Sequence, residues 1–228
     1  MSGDRTGGRV RPEGSALAAI AETRILPVLT IEDISAAMPL AEALRLGGVR
    51  AIEVTLRSQA ALPAIHTTAD RGDLLVGAGT VLNPADVDDA VDAGAQFAVS
   101  PGFSPAVIEQ CRTRGIAVIP GVATPTEILT AMEAGIDVLK FFPAQQLGGP
   151  PSVKALAAPF AFTRFIPTGG VGPANLTDYL SLPAVLAVGG AWMAGRELQS
   201  RKAWTEVTRL AAAAIAAAAA TTQAAGTP

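Results

Sequence analysis

The chain has 228 residues, half of them apolar and 16% charged, with a formal net charge of -3 and a pI near 5.2. That length and composition suit one α/β domain able to bury a large core. The acidic balance, with arginines not interleaved with aromatics, leaves no footprint for nucleic acid, so a small-molecule partner is expected. A single cysteine, Cys111, permits neither an internal disulfide nor a CxxC pair, which fits a reducing cytoplasm.

Residues 1–14 carry charges and glycines with no apolar stretch behind them, so they do not read as a targeting signal, and 1–13 is expected to be a disordered leader. One domain is expected over 14–220, opening with a short capping helix at 14–22. From there one unit keeps returning: an apolar, strand-like run, a turn rich in Gly, Pro or Asn, then a longer segment with helical spacing. The runs fall at 25–29, 51–56, 74–81, 97–100, 117–122, 138–142, 164–168 and 185–189. Helices are predicted to start near Ile34, Ala60, Pro84, Pro105, Pro125, Pro151 and Pro173. Five of these starts carry proline near the first turn, where its missing N–H costs nothing.

Eight such units without a composition break predict a single (β/α)8 TIM barrel of parallel strands; an open doubly wound sheet would be expected to carry a nucleotide fingerprint. The alanine run at 211–220 is too short to span a bilayer, so no membrane role is expected. Residues 221–228 read as a disordered tail.

In such a barrel the chemistry belongs at the C-terminal ends of the strands, so the polar residues there carry the information. Along Ala51-Ile52-Glu53-Val54-Thr55-Leu56-Arg57, alternation sends Ile52, Val54 and Leu56 to the helices and Glu53, Thr55 and Arg57 inward. A carboxylate inside a barrel is costly unless it is paired or used. One reading of this stretch is therefore a structural Glu53–Arg57 ion pair, and the other is a site.

Lys140 is one of three lysines, and it sits in Val138-Leu139-Lys140-Phe141-Phe142-Pro143. Alternation groups it with Val138 and Phe142 and points its amine into an apolar interior. Apolar surroundings disfavour the charged form of an amine, and the neutral form is the one that attacks a ketone. A snorkelling strand-end lysine is the alternative. Lys154 and Lys202 lie in stretches of mixed polarity and read as solvated.

Thr80 and Thr168 close two further runs and complete the inward set. Thr168 leads into Gly169 and Gly170, and the last run ends in Gly189 and Gly190; paired glycines after strands seven and eight suit an anion cradle, though each pair alone could simply make a turn. His66, the sole histidine, has no second histidine to share a metal and no nucleophile elbow near it for a serine hydrolase, and no second strand-end carboxylate joins Glu53. Neither a metal nor another cofactor is expected.

These residues resemble the 2-keto-3-deoxy-6-phosphogluconate (KDPG) and 4-hydroxy-2-oxoglutarate (KHG) aldolases over roughly 25–193. The likeness rests on Gly47-Gly48-Val49 leading to Glu53-Val54-Thr55-Leu56-Arg57, on Gly77-Ala78-Gly79-Thr80-Val81-Leu82-Asn83-Pro84, on Ser100-Pro101-Gly102, on Lys140-Phe141-Phe142-Pro143-Ala144, and on Pro167-Thr168-Gly169-Gly170. It implies a class I aldolase in which Lys140 forms the iminium and Glu53 moves protons through a water. It also implies that Arg57 and Thr80 bind the carboxylate, Pro101 and Phe142 shape the pyruvate pocket, and Thr168 contacts substrate oxygens. Backbone N–H groups at Gly169, Gly170 and Gly190 would take a phosphate, and the assembly would be a homotrimer.

One departure stands out. Gly189-Gly190-Ala191-Trp192 has alanine where the family's serine hydroxyl is expected, which puts preference for a 6-phosphate in question and leaves an unphosphorylated 4-hydroxy-2-oxoacid or a phosphogalactonate-type substrate open. A phosphate-binding isomerase or synthase without a Schiff base, and a scaffold protein, are the other classes; neither accounts for an amine placed at Lys140.

Overall fold

The computed structural model describes residues 16–225, with side chains through Thr222. The leader expected at 1–13, the first two residues of the expected capping helix and the last three residues lie outside them. Strand segments are β1 (Ile25–Leu29), β2 (Ala51–Thr55), β3 (Leu75–Gly79), β4 (Phe97–Val99), β5 (Ala117–Ile119), β6 (Gly121–Val122), β7 (Val138–Phe141), β8 (Arg164–Pro167) and β9 (Val188–Gly190). Every ladder is parallel, in a six-stranded sheet ordered β5-β4-β3-β2-β1-β9 and a three-stranded sheet ordered β6-β7-β8.

Parallel neighbours need crossovers, and helices supply them. The helices are α1 (Ala16–Thr23), α2 (Ala37–Leu46), α3 (Ala61–Ala69), α4 (Pro84–Asp92), α5 (Pro105–Arg114), α6 (Pro125–Glu133), α7 (Gly149–Ala157), α8 (Leu176–Leu180), α9 (Arg196–Ser200) and α10 (Trp204–Ala225), those from α2 to α8 making the crossovers. Three start where the sequence placed them because cap and proline agree. Asn83 accepts from the Asp86 N–H, Ser104 from the Val107 N–H, and Thr124 with Glu127 forms a capping box, each followed by proline at the first helical position. The result is an α/β fold on a curled parallel sheet.

The expected run 117–122 divides at Pro120, which has no N–H to give the ladder; its carbonyl still accepts from the Lys140 N–H at 2.9 Å. The last strand is shorter than expected and begins at Val188. Upstream, the Val185 N–H closes a turn onto the Leu182 carbonyl, while Arg24 occupies the carbonyls of Val185 and Leu186, so those groups are not free to build a ladder. Near Pro173 the helix waits until Leu176, because the Asn175 side chain accepts from the Gly172 N–H and folds 172–175 into a turn. The tail expected from 221 is corrected: α10 runs to Ala225. Thr221 and Thr222 bond back to the Ala218 carbonyl, and the Arg24 guanidinium reaches both hydroxyls.

Alternation along the strands separates two cores. The outer one joins Ile52, Val54, Leu139 and Phe141 to the helices. The inner one gathers Leu26, Ala51, Phe97, Val99, Ile119, Val138, Ile166 and Ala187, closed off by Ala16 and Ile20 of α1, the expected capping helix. Each large aliphatic side chain buried there contributes roughly 1.5–3 kcal/mol. With the inner face filled on the side where α1 packs, the polar inward residues nearer the C-terminal strand ends have an apolar floor.

Candidate active site

Two inward positions on different sheets meet above that floor. Lys140 follows Val138 on the inner face of β7, and Glu53 follows Ala51 on the inner face of β2. The Lys140 amine lies 3.1 Å from Glu53 Oε1 and 3.5 Å from Oε2, with the two side chains 9% and 1% exposed. Removing one partner of so buried a pair strands the other's charge, at a cost on the order of 3–5 kcal/mol. The Lys140 amine also stands 5.4 Å from the centroid of the Phe142 ring.

Glycines on the same inward face make the room. An added Cβ at Gly79, which pairs in register with Thr55, would collide with Glu53 Oε1. At Gly77 it would strike the Phe97 ring, and at Gly189 the Thr168 hydroxyl. Gly121 lies against the Pro101 carbonyl, so β6 can approach the loop after β4 only without a side chain there.

The Glu53–Arg57 ion pair, one of two readings of β2, does not form. Glu53 turns to Lys140, whereas Arg57 lies past the end of β2, exposed, and donates to the Thr30 hydroxyl at 3.0 Å. Thr30 and Thr55 Oγ1 are 2.8 Å apart. Thr80, placed in the inward set by its position at the end of its run, falls one residue beyond β3 and is half-buried; the inward residues of the strand are Gly77 and Gly79, and alternation sets Thr80 with Val76 and Ala78 instead. Pro101 is half-buried beside Gly121, and Phe142, past the end of β7, is 37% exposed at the rim. Thr168 is buried and forms an isolated bridge with Gly189.

After Thr168, Gly169 and Gly170 have φ of 96° and 74°, backbone that L side chains rarely adopt. Their N–H groups donate to no other described residue. Gln145, Asn175 and Tyr179, which the sequence reading passed over, hold this loop. The Gln145 N–H donates to the Gly169 carbonyl, and Asn175 Nδ2 donates to the Gly170 carbonyl and to Gln145 Oε1. Tyr179 OH donates to Gln145 Oε1 at 3.0 Å. Asn175, closing Gly172-Pro173-Ala174-Asn175, was the signal available. Gly190 closes β9 under the Trp192 ring, and Ala191 is exposed.

Other reactive groups lie apart. His66 is exposed on α3 and faces Asp70 at 3.7 Å. Cys111 is buried on α5, and burial pushes its thiol up to about 11, away from the reactive thiolate. Among the described residues no three His, Cys, Asp or Glu side chains gather as a metal site, and no helix is long and apolar enough to cross a membrane.

A family model described as KDPG and KHG aldolase matches residues 17–210. The 2-dehydro-3-deoxy-phosphogluconate aldolase of Treponema pallidum is 46% identical over 193 residues, 84% of this chain and 92% of its own. The KHG/KDPG aldolase of Escherichia coli K12 is 41% identical over 192 residues, 84% and 90% of the two chains. Among solved structures, the KDPG aldolase of Legionella pneumophila, with pyruvate captured as a covalent carbinolamine, superposes with a TM-score of 0.85 at 38% identity over 89% of this chain and 98% of that one. A fold and relatives of this kind define an aldolase, a lyase acting on a carbon–carbon bond. The chain belongs to the KDPG and KHG aldolase family.

Proposed function

We propose that this enzyme reversibly cleaves a 4-hydroxy-2-oxoacid to pyruvate and an aldehyde through a Schiff base on Lys140. The substrate is 2-dehydro-3-deoxy-6-phosphogluconate, 4-hydroxy-2-oxoglutarate, or both, releasing glyceraldehyde 3-phosphate or glyoxylate. The observation that carries the reading is the Lys140 amine held 3.1 Å from Glu53 Oε1 above an apolar floor. A proton passed from the amine to this carboxylate leaves the neutral nitrogen to attack the C2 ketone. The carbinolamine loses water to give the iminium, which draws the electrons of the C3–C4 bond as the C4 hydroxyl loses its proton and the aldehyde departs. The enamine then takes a proton at C3, and hydrolysis frees pyruvate and the amine. Glu53, the one carboxylate within reach of the amine among the described residues, carries these protons, directly or through a water.

In the same reading Arg57 and Thr80 take the substrate carboxylate, Pro101 and Phe142 wall the pyruvate end, and Thr168 meets the substrate oxygens. Gly169, Gly170, Gly189 and Gly190 form the cradle for a distal phosphate, supported by the two N–H groups that Gly169 and Gly170 leave unused among the described residues. A 2-dehydro-3-deoxy-6-phosphogalactonate substrate stays within this chemistry, and a structure named native KDPGal resembles this chain at 32% identity with a TM-score of 0.80. Nothing observed favours an isomerase or synthase, which has no use for the buried amine.

Two further parts complete the reading. The two sheets join as one closed (β/α)8 barrel: the run containing β5 and β6 pairs with β4 on one side and β7 on the other, and the bridges Phe165–Val185 and Thr168–Gly189 link β8 to the last strand run. The working assembly is a cytoplasmic homotrimer, in keeping with Leu129 and Met132, apolar residues three apart on α6 that this single chain leaves exposed.

Borohydride reduction in the presence of pyruvate, followed by peptide mass spectrometry, tests the chemistry. A pyruvyl adduct on Lys140 alone is the expected result. A folded protein with no adduct, or with one on Lys154 or Lys202, defeats the mechanism.

A further inference from the structure

Arg57 is one of three described arginines, with Arg24 and Arg164, that reach no carboxylate. Arg45, Arg71, Arg114 and Arg209 each reach carboxylates. Arg57, four residues after Glu53, makes no ion pair with any described residue; its Nη2 donates to Thr30 Oγ1 at 3.0 Å. A guanidinium has donors only, so the Thr30 oxygen is the acceptor. Thr30 is itself fixed twice. Its hydroxyl lies 2.8 Å from Thr55 Oγ1, and its carbonyl accepts from Gln199 Nε2 at 3.1 Å, whose amide also donates to the Ala194 carbonyl at 2.7 Å. The register of β1 on β2, Leu29 opposite Val54, places Thr30 level with Thr55, and Thr55 is 1% exposed.

We propose that Thr30 is a positioning residue that presents Arg57 to the carboxylate of the 2-oxoacid. The inference rests on the carboxylate role given to Arg57 under the proposed function. A hydroxyl orients a guanidinium without neutralising it. A carboxylate in the same place would compete with the substrate for the charge, and no partner at all would leave a long side chain to be ordered by each binding event. Thr55 holds the Thr30 hydroxyl and Gln199 its carbonyl, so the tether reaches from the buried wall of β2 to α9.

Half-saturating pyruvate for borohydride inactivation is the readout, with pyruvamide, which lacks the carboxylate charge, as the comparison ligand. Thr30→Val is expected to raise the value for pyruvate about three- to tenfold, the scale of immobilising one flexible side chain, and to leave that for pyruvamide within twofold. Thr30→Ser restores the wild-type value, and Thr30→Ala repeats the valine result should valine not pack. If Arg57→Lys leaves pyruvate binding unchanged, the carboxylate role of Arg57 is wrong and the inference goes with it. If Arg57→Lys weakens pyruvate while Thr30→Val and Thr30→Ala do not, Arg57 acts without Thr30. Equal losses for pyruvate and pyruvamide mean that Thr30 serves only the local fold, and that result also overturns the proposal.

Discussion

At Ala191 the side chain stops at Cβ, exposed after the Gly189-Gly190 pair. If the proposed cradle holds a phosphate, position 191 has no hydroxyl to give it. Losing one hydrogen bond to a charged group is worth about 1.5–3 kcal/mol, a ten- to hundredfold loss of affinity. We therefore expect kcat/KM for the phosphorylated oxoacid and for 4-hydroxy-2-oxoglutarate to lie within about two orders of magnitude of each other, and Ala191→Ser to shift the ratio toward the phosphorylated substrate about tenfold or more. Steady-state kinetics on both substrates decides it, and a wild-type preference for the phosphate by several orders of magnitude would refute the weak-cradle reading. At this scale the sequence disclosed which residues face inward but not whom they touch. Glu53 and Lys140 were legible by alternation, yet a carboxylate four residues from an arginine suggested the local pair, and the partner it takes lies 87 residues away.

On β3 the important inward residues are the ones with no side chain. Gly77 admits the Phe97 ring and Gly79 admits the Glu53 carboxylate, so this strand gives up packing surface to let its neighbours fill the interior. Gly79→Ala puts a methyl where Glu53 Oε1 stands. Overpacking of this kind costs roughly 1–3 kcal/mol of stability. The carboxylate must also leave the amine, and displacements of about 1 Å at a catalytic centre cost on the order of a hundredfold in rate. Thermal unfolding and kcat measured together check this; a stable variant with unchanged kcat would show that the Lys140–Glu53 contact is dispensable. Helix starts at Pro84, Pro105 and Pro125 were legible because the signal is local, a capping side chain followed by proline. The late start of α8 and the shortened last strand were not, since both depend on side chains, Asn175 and Arg24, that claim backbone groups elsewhere.

Over the whole molecule α10 is tied back to the first described elements. Thr208 of α10 donates to the Ala43 carbonyl of α2, Gly47 allows Ala211 to approach the end of α2, and Arg24 holds the far turns of α10. The helix that runs past 220 is therefore part of the packed fold. Leu46 of α2 and, elsewhere, Leu129 and Met132 of α6 stay exposed, and a trimer would cover apolar surface of this kind. Multi-angle light scattering is expected to return three times the 23.1 kDa chain mass; a monomer at micromolar concentration would remove the trimer.

The sequence by itself determined the parallel α/β order, the inward lysine and glutamate, and the glycine pairs after Thr168 and Val188, because period, caps and turns are written in neighbouring residues. The tertiary structure decided the pairings: Glu53 with Lys140, Arg57 with Thr30, and Gln145 with Asn175 and Tyr179. Each of these joins strands or loops distant in sequence, and a side chain's choice among several possible partners is fixed only when packing has set the distances between them.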